Sequence, residues 1–163
     1  MMEEKAEILL KGAIQLFMGV SIKSVSMDDV ARELKVSKKT LYQHFKNKED
    51  LLTAMLNYYI ENDHTKYIEE SSQPFENAID ELLVASRWVS INFKTLNSVH
   101  VFDLKKYYPE IYTHFWKRKR EQVYQSVKVN LERGIDEGLY RGEIRIELTA
   151  GLYARKLEQV HFQ

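Results

Sequence analysis

Apolar residues recur at helical spacing along almost the whole chain, and punctuation divides them into successive helices. Leu9, Ala13, Leu16 and Phe17 mark one side of a first helix from about Glu3 to Met18, which a loop through Gly19 to Val25 ends. Ser26, with Asp29 three residues later, predicts a capped helix to about Leu34 that buries Val30, Ala31 and Leu34. Lys35-Val36 makes a turn, Ser37 caps a helix over Lys38 to His44, and Asn47 with Asp50 opens a longer helix toward residue 70. Pro74 is placed to begin the next helix, which carries Ile79, Leu82, Leu83, Val89 and Phe93. A shorter element is expected near Thr95 to Lys105. Pro109 starts the longest segment, which Gly138 ends after about Glu137, and a last helix runs from about Ile146 to Gln163. Ser98-Val-His-Val-Phe102 is a short, isolated strand candidate, so an all-α reading costs less than a mixed one.

The last helix presents Leu148, Leu152, Tyr153, Leu157 and Val160 without a stop signal, so the fold reads as C-terminally incomplete. A chain ending within a larger fold, or a partner supplying the missing cover, accounts for this. The division expected is a head at 1–47 and a larger helical domain at 48–163, with the fourth helix shared by both.

Composition narrows the setting. At 163 residues and 44% hydrophobic, the chain can form an ordinary core with a small module against it. It has no cysteine, hence no disulfide or thiolate metal site, and no apolar run approaches the roughly 18–20 residues of a membrane span. The start, Met-Met-Glu-Glu-Lys, lacks the order of a secretion signal, so a cytoplasmic protein that engages no membrane is expected. The 24 Lys and Arg balance 24 Asp and Glu, but the balance is not local. From Arg32 to Lys48 six cations face one carboxylate, Glu33, a net of +5 with His44 neutral.

Two short helices joined by a tight turn, with cations and hydroxyls gathered on the second, describe a helix-turn-helix. Its second helix enters the DNA major groove while flanking groups hold phosphates. Lys38 and Lys39 have the reach for guanine O6 or N7 as well as phosphate, and Gln43 pairs with adenine if its face turns to the groove. Lys39 and Gln43 are the favoured groove contacts, whereas Leu41 has the spacing to join Val30 and Val36 in a small core. Ser26, Ser37, Thr40, Tyr42, His44 and Lys48 suit phosphate, as do the amides after Ser26 and Asn47. The plainer alternatives are a solvated charged face and, for Ser26 and Ser37, simple helix caps.

Leu16-Phe17, Ser26 through Ala31, Val36-Ser37, Thr40-Leu41-Tyr42, His44-Phe45, Lys48 and Leu51-Leu52 together resemble the TetR family of bacterial transcriptional repressors. The combination of a helix-turn-helix with Tyr-x-x-Phe and a lysine opening the fourth helix is fairly specific. The match is detailed through Leu52 and thereafter confined to helical organisation. The resemblance implies a homodimer that reads a near-palindromic operator in double-stranded DNA and lets go when a small-molecule effector enters the larger domain. It also implies Thr40, Tyr42 and Lys48 as phosphate ligands, with Lys39 and Gln43 facing the groove. Ser21, Lys35 and Lys39 stand where the family favours glycine or a small residue; Ser21 and Lys35 are expected to carry strain at positive φ. Family members commonly continue further and dimerise through their last two helices, of which this chain reaches what resembles the first.

The larger half is rich in amphipathic rings. Trp88, Phe93, Phe102, Tyr112, Trp116 and Tyr124 are candidates, as a set, for lining a pocket for an aromatic or lipid-like effector, with plain helix packing as the alternative for each. Arg87, Asn92, Asn97, His100 and Asp103 are the polar candidates. The run Lys117-Arg-Lys-Arg120 circles its helix and reads as a solvated surface or a contact for an acidic partner. Enzyme readings are weak. The five histidines form no His-Glu-x-x-His, Asp28-Asp29 fits a helix start, and neither a Gly-rich phosphate loop nor Gly-x-Ser-x-Gly occurs. No cofactor is expected. The alternative to a DNA-binding regulator is a helical interaction protein whose helix-turn-helix is structural and whose last helix meets another chain.

Overall fold

The computed structural model describes the backbone of residues 3–70, 75–92 and 98–160, and the side chains of 3–62, 75–87 and 99–156. Over these residues the chain is helical: α1 (Glu4–Gly19), a 3-10 turn (Ile22–Ser24), α2 (Met27–Glu33), α3 (Lys38–His44), α4 (Lys48–Glu70), α5 (Ala78–Asn92), α6 (Ser98–Tyr107), α7 (Pro109–Asp136) and α8 (Ile146–Val160). Two compact units emerge, Met1–Tyr59 with Leu96–Phe115, and Ile60–Thr95 with Trp116–Gln163. The helices α4 and α7 each contribute residues to both.

The first unit is built around the apolar faces of α1 to α4. Leu10, Leu41 and Leu51 are completely buried, in one cluster with Phe17, Val30, Ala31, Phe45 and Leu52. Leu41 thus occupies the core position its spacing predicts, with Val36 packed against the cluster. Gly12 lets α1 approach α2, since a Cβ there would collide with Leu34 Cδ2. Leu104 of α6 is buried in the same cluster, and Tyr108, Ile111 and Tyr112 pack on it.

The local signals act largely as expected. Ser26 and Asp29 form a reciprocal capping box: Ser26 Oγ accepts from Asp29 N (3.2 Å) and Asp29 Oδ2 accepts from Ser26 N (2.9 Å). Asn47 Oδ1 accepts from Asp50 N (2.8 Å) at the start of α4. Lys35 has φ +54, and its N–H and that of Val36 bond to the Arg32 and Ala31 carbonyls, the Schellman closure that glycine usually serves. Ser21, in contrast, has φ −60 and ψ 133, an ordinary extended conformation, so the strain expected there is absent.

The start of α5 differs from the sequence reading. Asn77, not Pro74, sets it: Asn77 Oδ1 accepts from Ile79 N and Asp80 N, both at 3.0 Å, and Asp80 Oδ2 accepts from Glu76 N at 3.3 Å. An asparagine cap satisfies amides that a proline three residues earlier cannot reach. Pro74, like the proposed start of α6 at Thr95, lies outside the described residues.

In the second unit a polar network ties the first turn of α5 to the end of α7. Buried Asn130 donates to Ala78 O and Glu81 Oε2, both at 2.9 Å, and Tyr140 OH donates to Asn130 Oδ1 at 3.1 Å. Glu137 accepts from Ala78 N (2.7 Å) and from Arg133 Nε (2.6 Å). The Tyr140 ring lies against Gly134, where a Cβ would collide with it. Gly138, at φ +72, closes α7.

Candidate nucleic-acid interface

The helix α3 stands on the head core through Leu41 and Phe45, which leaves its other faces outward. Ser37 caps it, accepting from Thr40 N at 3.0 Å, and the two hydroxyls pair at 2.8 Å. Thr40 is half-buried as a result. Lys39, Tyr42 and Gln43 follow at i, i+3 and i+4 and share one exposed face, with Tyr42 47% exposed. Within the described residues, no hydrogen bond or ion pair involves these three side chains. They offer an ammonium, a phenol and an amide with their donors and acceptors unspent.

The other sequence candidates are already engaged. The Ser26 hydroxyl, while capping α2, also donates to Asp29 Oδ2 at 2.6 Å. These Ser26 bonds hold the Asp29 carboxyl below its usual pKa, and Arg32 pairs with the same carboxylate. Lys38 Nζ is 2.5 Å from Asp28 Oδ2, an exposed pair that bridges the starts of α2 and α3. His44 shows 11% of its side chain, with Nδ1 3.5 Å from Glu3 Oε2, and so has little surface to give a phosphate. Lys48 Nζ donates to the Ile22 carbonyl and lies 5.7 Å from the Tyr108 ring centroid. Partial burial lowers its pKa, against the opposing pull of Asp103 and Asp29.

Asp103 is the residue whose role the sequence did not reveal. It is 4% exposed on α6, and its Oδ2 accepts from Ser21 Oγ (2.5 Å) and Lys23 N (3.1 Å). Burial alone would raise its pKa, but the hydrogen bonds from Ser21 and Lys23 and the nearby His100 together hold it below the ordinary carboxylate value. His100 adds a 3.1 Å contact to the Val20 carbonyl. Asp103 and His100, polar candidates for a ligand on sequence grounds, therefore pin the α1–α2 connection to α6. Ser21, where the TetR-like pattern favours glycine, was the visible signal, because its hydroxyl reaches Asp103 and glycine has no side chain to do so.

The six aromatic candidates do not share a unit. Phe102 is 57% exposed with the Lys106 ammonium 5.2 Å from its ring, and Tyr112 packs on the head core; both belong to the first unit. Trp116, buried, and Tyr124, half-buried, belong to the second. The side chains of Trp88 and Phe93 lie outside the described residues. Among the basic run on α7, Arg118 faces Glu61 at 3.7 Å and Lys119 donates to Gln122 at 3.3 Å.

These features define an all-helical protein with an N-terminal helix-turn-helix. Residues 9–55 match the family described as bacterial regulatory proteins, tetR family. The match to this family lies in the head of the chain. It is 37% identical over 67 residues to the HTH-type transcriptional regulator YuxN of Bacillus subtilis (strain 168), covering 41% of this chain and 23% of that protein. With YerO of the same organism it shares 39% over 59 residues, 36% of this chain and 20% of that one. The matched segments thus span less than a quarter of either relative. Among solved structures, Escherichia coli NemR in its reduced form superposes with a TM-score of 0.77 at 17% identity over 98% of this chain and 87% of that one. Salmonella enterica GusR gives 0.75 at 19% over 98% and 82%. AibR, solved with isovaleryl coenzyme A and operator DNA, gives 0.64 at 20% over 98% and 87%. At these identities the structures share the fold.

Among the described residues, no helix is long and apolar enough to cross a membrane.

Proposed function

We propose that the protein is a cytoplasmic, non-enzymatic transcriptional regulator: a repressor that binds a near-palindromic operator as a homodimer and releases it when a small molecule binds the larger helical domain. The observation that carries this reading is the exposed, unspent Lys39–Tyr42–Gln43 face on a short helix anchored by Leu41. Lys39 and Gln43 read base edges, and Tyr42, Thr40, Lys48, Ser26, Ser37 and Lys38 are the phosphate-side set, of which Tyr42 has the freest side chain. His44 is the least favoured of the sequence candidates because so little of it is exposed. The working division is residues 1–47 for DNA and 48–163 for effector and dimer contacts. Trp88, Phe93, Trp116 and Tyr124 are the proposed effector lining, with Phe102 and Tyr112 less favoured because the first unit exposes one and packs the other.

AibR supports both halves of the reading, since its structure holds an acyl coenzyme A and operator DNA. For the second copy, support comes from Leu148, Leu152 and Tyr153, which leave α8 with an exposed apolar face. Selection of duplexes from a randomised library at near-physiological salt tests the proposal. A near-palindromic winner bound by two chains is expected. Failure to enrich any sequence would overturn it.

A further inference from the structure

Where the 3-10 turn meets the end of α6, ammonium groups gather around aromatic rings rather than carboxylates. Lys23 Nζ donates to the Tyr107 phenol oxygen at 3.2 Å and lies 4.6 Å from that ring's centroid. Lys106 Nζ is 5.3 Å from the same centroid and 5.2 Å from that of Phe102. All four side chains are exposed. Neither Lys23 nor Lys106 has a carboxylate partner among the described residues. The carboxylate close by, Asp103, is buried and committed to Ser21 Oγ and to the Lys23 backbone N–H.

This arrangement has the chemistry of an anion site. Two like charges converge on one phenol, so an anion between them relieves their repulsion and gains charge-assisted hydrogen bonds. Because Lys23 donates to the phenol oxygen, the Tyr107 hydroxyl keeps its own hydrogen for an acceptor. The lysines also draw the Tyr107 pKa down, Lys23 most strongly, which makes that hydroxyl a better donor. The Asp103 bond to Lys23 N–H holds the turn in place before any ligand arrives.

Position identifies the anion. Ile22, whose carbonyl receives the Lys48 ammonium, immediately precedes Lys23, and Ser26, the cap of α2, follows three residues later. The cluster therefore borders the phosphate-side residues of the head, and a duplex presents a phosphate charge about every 1.7 Å along its axis. We propose that Lys23, Tyr107 and Lys106 form an accessory site for DNA backbone phosphate, outside the helix-turn-helix and partly carried by α6. The site rests on the DNA-binding reading above and adds to it a contact that carries no base information.

The test compares the full chain with Lys23→Ala/Lys106→Ala, Tyr107→Phe and Lys23→Arg/Lys106→Arg on the duplex that the wild type selects, by fluorescence anisotropy across a salt series. Thermal melting checks that each variant is folded. The double alanine variant should bind more weakly, with a salt slope shallower by about 1 for each phosphate it no longer neutralises and an unchanged ranking of sequences. Tyr107→Phe should show a smaller loss, and the arginine pair should keep the wild-type slope. Trimming base pairs from the duplex ends should erase the difference between wild type and the alanine pair. An alanine pair with wild-type slope and affinity overturns the accessory site while leaving the DNA-binding reading intact. A wild type that selects no duplex overturns both.

Discussion

Lys35 bears a conformational cost at the turn between α2 and α3. A side chain in the left-handed region costs about 1–2 kcal/mol, and Lys35 sustains it because the two Schellman hydrogen bonds fix its φ at +54. Glycine removes that strain but gives back about 0.5–1 kcal/mol in unfolded-chain entropy. Lys35→Gly should therefore stabilise the protein slightly, by about 0–1.5 kcal/mol, raising the thermal midpoint by a few degrees at most. A lowered midpoint would show that the lysine side chain contributes more than the turn loses. At Ser21 the residue-level inference from family pattern points the wrong way. Its backbone is ordinary, and the hydroxyl is needed for a partner 82 residues later in the chain.

At the scale of elements, that partner makes α6 part of the head. Asp103→Asn keeps the shape but removes the charge that Ser21 and Lys23 bond, and should cost about 1–3 kcal/mol in urea unfolding at pH 7. Asp103 has a folded-state pKa below the ordinary carboxylate value, so its contribution is complete above about pH 4 and is lost as pH falls through the folded value. The gap between wild type and variant should shrink accordingly in strong acid. A gap that is constant with pH would mean that Asp103 does not act as a carboxylate.

The helices themselves are largely legible in the sequence. The α3 bounds, Lys38–His44, follow from the Ser37 cap, and the capping box at Ser26 and the starts at Asn47 and Pro109 are local signals that local chemistry obeys. The α5 start departs from the proline signal because Asn77–Asp80 competes with Pro74 and the asparagine side chain satisfies the amides. The Asp103 clamp and the Asn130–Tyr140–Glu81 network are not legible, since periodicity does not report which distant helices meet. The same holds for His44 and Lys38, whose partners Glu3 and Asp28 become neighbours through tertiary packing.

For the whole molecule, the proposed function calls for a second copy. The exposed Leu148, Leu152 and Tyr153 give α8 a face that this copy can cover. Leu148→Glu/Leu152→Glu should shift light scattering from two chains toward one and weaken operator binding, while leaving the melting of the isolated chain near wild type. A dimer unaffected by the pair would place the contact elsewhere. Trp116 and Tyr124 belong to one compact unit and Lys39 to the other. Loss of effector response without loss of DNA affinity is expected from substitutions at Trp116 or Tyr124, and the reverse from Lys39.

The most direct measurement is the affinity of wild type, Lys39→Ala and Tyr42→Phe for the selected operator and for single-base-pair variants of it, at one fixed salt concentration. Tyr42→Phe should weaken binding to every duplex by a similar factor, because it loses a backbone contact. Lys39→Ala should flatten or redirect discrimination at one base pair in each half-site, where a good contact is worth about 1–3 kcal/mol. Unchanged discrimination in Lys39→Ala, or the same uniform loss in both variants, would contradict the claim that this face of α3 reads DNA sequence.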